Sequence, residues 1–415
     1  MCPRSRFRPV FFWTAVVSAT GVRHAWAQSR VEYKYEYYQE ADDRTRVQTH
    51  GLWFETELDK RLVLRGQYVH DALSGATPNG GPPPAGTNAV PLSRFEDERN
   101  AGMLQGDIKL GRFNTSPQIS YSEESDYRSL GVALTEAIDF NQKNTTLILG
   151  TSRNSDAVRG SNQIGFAYKN ETLGMVGINQ LLSPLSVLTV NFTMGYLDGY
   201  LNDAYKGVNF SVNYPNPVFD PTPFDVNLGE KRPRHRFKQI GYFGFTQYVP
   251  KLKGGADLSY RLYHDDWGVW GNTFQMEWNQ KVGQRLVVTP LLRYHRQTAA
   301  DFYGVRFAGD PLLPHGAQYA LQSDGFTMLF NGDEGFPGDG LVGTVPAHPS
   351  YYSSDYRLSE METWTYGLGV RIKLCENATL SLAYKRYETH GLDGITPKGQ
   401  YPTAHAGTVG LSVSF

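Results

Sequence analysis

The sequence predicts an all-β fold: a transmembrane antiparallel β-barrel of about 16 strands, with about 14 or 18 strands as the alternatives, short periplasmic turns and long outer loops. Three observations predict it. The chain begins with an export signal, apolar and polar residues alternate with a period of two, and short connections alternate with long ones. Period-two alternation puts apolar side chains on one face of a strand and polar side chains on the other, as a barrel between lipid and water requires.

The first 27 residues have the pattern of a secretory signal. Three arginines precede an apolar run at 10–17, and the sequence AWA at 25–27 is a small-x-small cleavage site. The apolar run is too short to cross a bilayer as a helix. We therefore expect cleavage after Ala27 and a single barrel domain over residues 28–415, with a retained N-terminal anchor as the alternative.

The composition excludes several classes of function. The chain contains 40 Lys and Arg against 41 Asp and Glu, so no strong basic field is available and nucleic acid is not an expected partner. Of the two cysteines, Cys2 leaves with the signal and Cys375 remains alone. An intrachain disulfide or a zinc site built from paired cysteines is therefore excluded, and no cofactor is predicted.

Strand patterns recur along the whole mature chain. In 30–38, RVEYKYEYY, valine and tyrosine alternate with charged residues. We predict strands at roughly 30–38, 46–58, 62–71, 102–111, 118–124, 127–140, 145–153, 172–182, 186–198, 236–249, 255–264, 270–282, 285–297, 360–374, 379–390 and 403–415.

The connections between these strands separate by length. The short ones, at about 59–61, 112–117, 141–144, 183–185, 250–254, 283–284 and 375–378, all fall at the end expected to be periplasmic. The three longest, at about 72–101, 199–235 and 298–359, all fall at the outer end. An ordinary soluble β-sandwich does not predict that separation.

Alternation also assigns side chains to the two faces of the wall. The outward face is predicted to carry apolar residues such as Leu258, Phe274, Trp364 and Leu382. The lumen is predicted to be lined by Glu55, Glu57, Arg65, Asp107, Lys109, Arg261, Glu277, Arg293, Arg371 and Lys373. We expect water in the lumen, because an unpaired charge in a dry interior costs several kcal/mol.

The C-terminal residues GTVGLSVSF alternate strictly and end on an aromatic. We expect them to form the last strand, which pairs with the first and closes the barrel. Val409, Leu411, Val413 and Phe415 are predicted to form the assembly signal, since Phe415 resembles the C-terminal aromatic that outer-membrane insertion machinery recognises. The expected partners are therefore that machinery, outer-membrane lipid and lipopolysaccharide, and an unidentified small polar solute.

Several longer phrases resemble a known family. They are DALSGATP at 71–78, LLSPLSVLTVNFTMGYLDGYLNDAYK at 181–206, SYRLYHDDWGVW at 259–270, RYHRQTAADFY at 293–303 and YYSSDYRLSEMETWTYGLG at 351–369. With Phe415 they resemble a bacterial outer-membrane barrel family known as domain-of-unknown-function family 3570. The resemblance covers the mature chain and implies the outer membrane of a Gram-negative bacterium. Members usually read Asp-Pro-Tyr-Lys where this chain has Asp203-Ala204-Tyr205-Lys206, and many are encoded beside redox proteins.

Three local clusters are candidates for chemistry. His264, Asp265 and Asp266 lie at a predicted hairpin tip, where an imidazole and two carboxylates can hold a divalent cation or simply form a turn. The acidic loop 298–359 is predicted either to enter the lumen or to stay outside as a solvated surface. The basic run 231–238 is predicted to pair with lipopolysaccharide phosphates or with that acidic loop, or to remain a solvated group of charges.

These observations predict a channel or porin-like protein that passes small polar solutes or ions, and not an enzyme. The first alternative is a scaffold that sheathes another exported protein, possibly a redox protein. The second is a hydrolase at the rim, where His70, His264, His295 and His390 fall near the outer ends of strands. No spacing of serine, histidine and carboxylate singles out a nucleophile.

Overall fold

The computed structural model describes residues 29–84, 86–87, 89–159, 165–214, 223–314, 317–322, 327–331, 333–334, 336 and 341–415. The predicted signal peptide lies outside these residues. In the described part of the chain, no helix is long and apolar enough to cross a membrane.

The described residues contain 22 strands. In chain order they are β1 Ser29–Glu40, β2 Arg46–Glu57, β3 Leu62–Pro78, β4 Leu92–Leu110, β5 Phe113–Glu123, β6 Tyr127–Phe140, β7 Thr145–Val158, β8 Ala167–Ser183, β9 Ser186–Gly199, β10 Gly207–Val212, β11 Phe224–Gly229, β12 His235–Val249, β13 Gly254–Asp265, β14 Trp270–Val282, β15 Leu286–Gln297, β16 Phe307–Ala308, β17 Gln318–Leu321, β18 Met328–Phe330, β19 Leu341–Thr344, β20 Met361–Lys373, β21 Ala378–Gly391 and β22 Thr403–Ser414.

Sixteen of these strands form one closed antiparallel barrel, in the order β1 to β9, β12 to β15 and β20 to β22. The predicted fold class and strand number are confirmed. The last strand pairs with the first from Arg30 opposite Ser414 to Glu40 opposite Ala404. At the seam, the backbone amides of Ser29 and Phe415 each donate to the other's carbonyl, at 3.0 and 2.9 Å. Closure removes every free edge, so the backbone groups of the wall are paired inside a bilayer.

One face of the wall is an apolar belt. Residues that pair directly across antiparallel strands share a face, and the register carries one apolar face around the whole barrel. On β9 this face runs from Leu188 to Tyr196, and on β20 from Trp364 to Ile372. Each run spans about the nine to eleven residues that a tilted strand needs to cross the hydrocarbon core. Exposed aromatics such as Tyr196 lie at its outer end, as in the girdles of outer-membrane barrels.

Two prolines interrupt the ladders of this wall. Pro117 lies inside β5, although the sequence predicts a turn at 112–117 and a strand from 118. The β4–β5 ladder passes from Gln105–Gln118 to Ile108–Thr115 and omits the pairs at Pro117. Because proline has no N–H to donate, β5 accommodates it as a local gap, and the turn shrinks to Gly111 and Arg112. Pro290 in β15 interrupts its ladder with β14 in the same way.

The outer ends differ most from the predicted boundaries. The predicted loop at 72–101 is shorter, because β3 and β4 continue as a paired ribbon to Pro78 and Leu92. The predicted loops at 199–235 and 298–359 contain small sheets of their own, β10 with β11 and β16, and β17 with β18 and β19. We call the described parts of residues 200–234 and 298–360 the cap.

The cap has its own hydrophobic core. Val208, Phe210 and Val212 of β10 are essentially inaccessible, and they pack with Tyr214, Tyr319, Val345 and Tyr352. A second cluster joins Leu358 and Ala300 of the cap to Trp267 and Val269 of the β13–β14 hairpin. The long outer loops therefore form a packed unit seated on the barrel, which the period-two pattern of the sequence does not reveal.

Candidate functional site: the charged lumen and its capped mouth

The register places all ten predicted lumen residues on the face opposite the apolar belt. Glu55 pairs with Arg65, and Arg65 with Gln105, so three neighbouring strands carry their polar residues on the same side. On β20, Arg371 lies on that face opposite Val287 of β15 and Ser381 of β21, and Lys373 lies on it opposite Thr379 of β21. This face encloses the interior, since cap residues that cross the mouth contact it.

On β2 to β5 the inner charges are held in a network. The Arg65 guanidinium donates to Glu55 at 2.6 Å and also pairs with Asp107. Asp107 further accepts hydrogen bonds from Gln105 at 2.8 Å and from Ser116 at 2.6 Å. Only 4% of Asp107 is exposed, so these partners replace the water that the carboxylate has lost.

On β13 to β21 the inner cations are exposed. Arg261, Arg293, Arg371 and Lys373 all remain solvent-accessible although they face the interior of a closed barrel. Arg371 has one long hydrogen bond, 3.4 Å to Asn279, and among the described residues none of the four forms an ion pair. Exposed, unpaired charges on an inner wall require a hydrated lumen.

The two halves of the inner wall differ in sign. On β1 to β8 acidic residues predominate, namely Glu32, Glu36, Glu40, Glu55, Glu57, Asp71, Asp97, Asp107, Asp139, Asp156 and Glu171. On β12 to β21 basic residues predominate, namely Arg236, Lys238, Arg261, Lys281, Arg293, Arg371, Lys373 and Lys385. A charged solute inside the barrel therefore experiences a field directed across the lumen.

A cluster of five charged cap residues lies at the outer mouth. We call Asp203, Glu230, Arg232, Asp355 and Arg357 the clasp. Arg357 donates to Asp355 at 2.6 to 2.9 Å and pairs with Asp203. Arg232 donates to Asp355 at 2.9 Å and to Glu230 at 2.9 Å. Glu230 also accepts from the Ser353 hydroxyl at 2.6 Å and from the Asp203 amide.

Burial and ion pairing shift the pKa values of the two buried clasp carboxylates in opposite directions. Burial alone would raise the pKa of the Asp355 carboxyl, but the Arg357 and Arg232 guanidinium groups outweigh it and hold that pKa far below its usual range. At Glu230, burial prevails over Arg232 and raises the pKa. Asp355 is therefore the permanently charged centre of the clasp at neutral pH.

The clasp joins opposite sides of the mouth. On one side, the segment 200–207 reaches β4 and β8: Tyr205 packs on Phe95 with ring centroids 6.2 Å apart, and the Tyr200 amide donates to Tyr168. On the other side, Gln297 at the end of β15 donates to the carbonyls of Arg357 and Ser359 at 2.8 and 3.0 Å. The Asp203–Arg357 pair connects these two anchored segments.

A buried lysine fastens the same region to β3. The Lys206 ammonium donates to Thr77 at 2.9 Å and to the Pro78 carbonyl at 2.6 Å, and it lies 5.8 Å from the Tyr356 ring centroid. Burial lowers the pKa of Lys206. Tyr356 in turn packs edge-on against Tyr401 of the β21–β22 connection. The cap is thus attached around most of the rim.

The predicted metal candidate does not assemble. His264 lies on the outward face, stacked on Trp270 at 3.9 Å, whereas Asp265 faces the interior. The Asp265 carboxylate is already bound by Arg236 at 2.5 Å, by the Tyr263 hydroxyl and by two backbone amides. Asp266 accepts from the Phe237 amide. Adjacent strand residues alternate between faces, which separates ligands that are neighbours in sequence.

Two other groups of residues have definite positions. In the basic run, Arg232 pairs with Asp355 of the acidic loop, which is one of the predicted contacts, whereas Arg236 pairs with Asp265 of β13. Of the rim histidines, His70 contacts Asn100 and His295 contacts Thr273 and Gln297; none of these contacts places a serine beside a histidine. Asp97, Glu124 and Asp126 converge at the outer end without having been predicted, but an acidic group alone defines no site.

The clasp itself was missed by sequence reasoning. Its members come from three separate segments, and Asp203 lies 154 residues before Arg357. The density of arginine at 232–236 was the one signal available, together with the many acids of the loop that follows β15.

A family model described as "Protein of unknown function (DUF3570)" matches residues 11–173 and 161–412. The chain belongs to this family. The DUF3570 match extends over nearly all of the barrel and the cap, and it carries no assigned activity. A comparison with curated proteins found no matching sequence.

Solved structures share the barrel architecture with this DUF3570 chain at very low identity. CdiB from Acinetobacter baumannii aligns at 8% identity and TM-score 0.47 over 93% of this chain and 60% of its own, so the chain spans less than two thirds of that protein. A bacterial polysaccharide outer membrane secretin aligns at 8% identity and TM-score 0.46, over 93% of this chain and 98% of its own. The outer membrane protein OpdK from Pseudomonas aeruginosa aligns at 7% identity and TM-score 0.40, over 94% of this chain and 98% of its own. These likenesses are too distant to assign an activity.

Proposed function

We propose that this protein is an outer-membrane channel that passes small polar solutes or ions through a hydrated, charge-lined lumen, with the cap controlling entry from outside the cell. The observation that supports it is the exposure of fixed charges on the interior of a closed barrel. Arg261, Arg293, Arg371 and Lys373 have no described carboxylate partner, so an unpaired cation would be costly there unless water or a passing anion accompanied it.

Ion selectivity tests the proposal. Rings of fixed charge select permeating ions by sign. The double variant Arg371→Glu with Lys373→Glu should therefore shift the reversal potential in a KCl gradient toward cation selectivity. Planar-bilayer recording of the purified, refolded protein provides that measurement.

The control for this experiment makes the same charge change away from the inner wall. Lys60 and Lys251 are exposed on periplasmic turns, and Lys60→Glu with Lys251→Glu should leave the reversal potential close to that of the unmodified protein. A correctly folded barrel with no conductance under any condition would overturn the channel proposal.

The packed cap supports a second candidate function, that of a scaffold that holds another exported protein and transports nothing. A packed cap with its own core offers a folded outer surface, which a simple pore does not need. In that case the barrel would be silent in bilayers, and affinity purification from the membrane fraction would recover a stoichiometric partner. A conducting barrel purified without a partner would favour the channel.

Export and insertion complete the proposal. The signal at residues 1–27 would direct the chain across the inner membrane, and the strand that ends at Phe415 would be recognised by the outer-membrane assembly machinery. The apolar belt would then face lipid, with its outer rim against lipopolysaccharide. N-terminal sequencing of the purified protein tests the cleavage site directly, and a mature chain that begins before residue 28 would contradict it.

A further inference from the structure

A pocket lies directly under the clasp, against the inner wall. It has a cavity volume of about 230 Å³. Arg357 and Leu358 of the cap line it from above. Four barrel strands, β12 to β15, form its wall. The wall residues are Arg236, Arg261, Tyr263, Gly271, Thr273, His295 and Gln297. A solute that passes the clasp would meet this pocket first.

The charges of this pocket are not balanced. Arg236 is neutralised by Asp265 at 2.5 Å. Arg357 is neutralised by Asp355 and Asp203. Arg261 has no hydrogen bond or ion pair to any described residue, and neither has Arg293, which lies on the same face two residues before His295. Two guanidinium groups are therefore left without counter-charges at and beside the pocket.

The remaining lining restricts the chemistry of a ligand. A guanidinium group binds carboxylate or phosphate oxygens through its planar fork, and such charged hydrogen bonds are stronger than neutral ones. Thr273 and His295, whose side chains are 2.9 Å apart, add polar surface, whereas the Gln297 amide already donates to the carbonyls of Arg357 and Ser359. Tyr263 and Leu358 add apolar surface. The cavity is smaller than the roughly 300 to 1,000 Å³ typical of drug-sized ligands, so the ligand must be small.

We propose that this pocket is a binding site for a small oxyanion, a carboxylate or a phosphate, held by Arg261 with Arg293 beside it. The proposal deepens the channel function, on which its physiological meaning rests. It specifies the substrate class as anionic and places the selective step immediately below the clasp, on the basic half of the lumen.

Calorimetric titration of the full-length protein in detergent tests the site without requiring conductance. The probes are benzoate and inorganic phosphate, one for each source of the oxyanion, and the probe that binds identifies the class. Arg261→Gln should weaken binding of that probe about tenfold or more, because a charged hydrogen bond is lost. Arg293→Gln serves as a second variant and should weaken binding in the same direction.

The matched control is Arg296→Gln. Arg296 neighbours His295 on β15 but faces outward and pairs with Glu360 at 3.1 Å, so its loss should leave binding of the probe unchanged. Heat-modifiable gel mobility verifies that each variant is folded. Failure of the unmodified protein to bind either probe, or equal weakening by Arg296→Gln and Arg261→Gln, would overturn the site.

Bilayer recordings on the same samples separate this proposal from the channel function. Binding without conductance would leave the anion site standing and remove the channel. Conductance without binding of either probe would leave the channel standing and remove the anion site.

Discussion

Asp355 is the buried residue that holds the two arginines of the clasp together. It is 1% exposed; its Oδ1 accepts a hydrogen bond from the Arg357 guanidinium, and its Oδ2 accepts from both Arg357 and Arg232. It also caps the short 3₁₀ turn Tyr356–Leu358 by accepting from the Arg357 amide. One side chain thus sets the local backbone and neutralises two guanidinium groups.

We expect Asp355→Asn to loosen the cap while leaving the barrel intact. Arg232 would keep Glu230 and Arg357 would keep Asp203, but both lose their shared central carboxylate, and hydrogen bonds to charged groups contribute about 1.5 to 3 kcal/mol. Hydrogen exchange should show faster exchange in 351–359 and 200–207, with unchanged protection in the barrel strands. Asp42→Asn, at an exposed position in the β1–β2 hairpin, is the control, and equal effects of both variants would contradict the role of Asp355.

Asp355 also makes the stability of the cap depend on pH. The pKa of Asp355 is lowered from an ordinary value of 3.8, so its contribution to stability is fully present above about pH 4 and is lost as the pH falls toward the depressed value. Limited proteolysis of the cap should therefore accelerate on acidification below pH 4 in the unmodified protein. In Asp355→Asn the cap should already be sensitive at neutral pH, and an acid dependence that is unaltered by this substitution would contradict the account.

At the scale of the elements, the barrel strands were predictable because their signal is local. Alternation within β6 and β14 gave their exact bounds, and it assigned Arg261 and Arg371 to the inner face from neighbours two residues away. The extension of β4 back to Leu92 was not predicted, since its first half is polar on both faces. Outside the bilayer, no lipid imposes an apolar face on a strand.

The cap was not predictable in the same way. Phe210 meets Phe307 and Tyr352 across about a hundred residues or more of sequence, and a pattern read along one segment contains no information about such contacts. The clasp is likewise made by pairs between loops. Composition indicated only that long, acidic and aromatic connections exist.

The cap core should be separable from the barrel. Phe210→Ala removes a fully buried aromatic and should destabilise the cap by about 3 to 5 kcal/mol, because Phe307 and Tyr352 lose their packing partner. Proteolysis should then cleave within the cap while the barrel keeps its heat-modifiable mobility. Phe224→Ala, at an exposed phenylalanine of β11, provides the control, and loss of the barrel in Phe210→Ala would show that the two do not fold separately.

The last residue of the chain, Phe415, is predicted to affect insertion into the membrane and not the stability of the folded barrel. Phe415 bonds to Ser29 through its backbone alone, and its side chain is 71% exposed. Phe415→Asp should therefore cost the finished barrel little but reduce the amount inserted in the outer membrane, if the aromatic is read during assembly. Membrane fractionation measures this, with Phe415→Tyr as the control. Normal insertion of Phe415→Asp would contradict the prediction that Phe415 is part of the assembly signal.

At the scale of the whole molecule, the barrel combines an inner wall of uneven charge with a packed cap at its outer end. The acidic half of the wall is largely paired, as at Arg65, Glu55 and Asp107, whereas the basic half is exposed and lies below the clasp. In the proposed channel, a solute that enters from outside the cell would meet the cap before the unpaired cations. We therefore expect the clasp to open when the channel conducts.

The most direct test is to lock the clasp and record the current. Asp203 and Arg357, replaced together by cysteine in a Cys375→Ser background, can be joined by a short bismaleimide that contains a reducible bond. We expect frequent opening in planar bilayers before cross-linking, strongly reduced opening after it, and recovery on reduction. Identical currents in the cross-linked and reduced states, or no current in either, would contradict it.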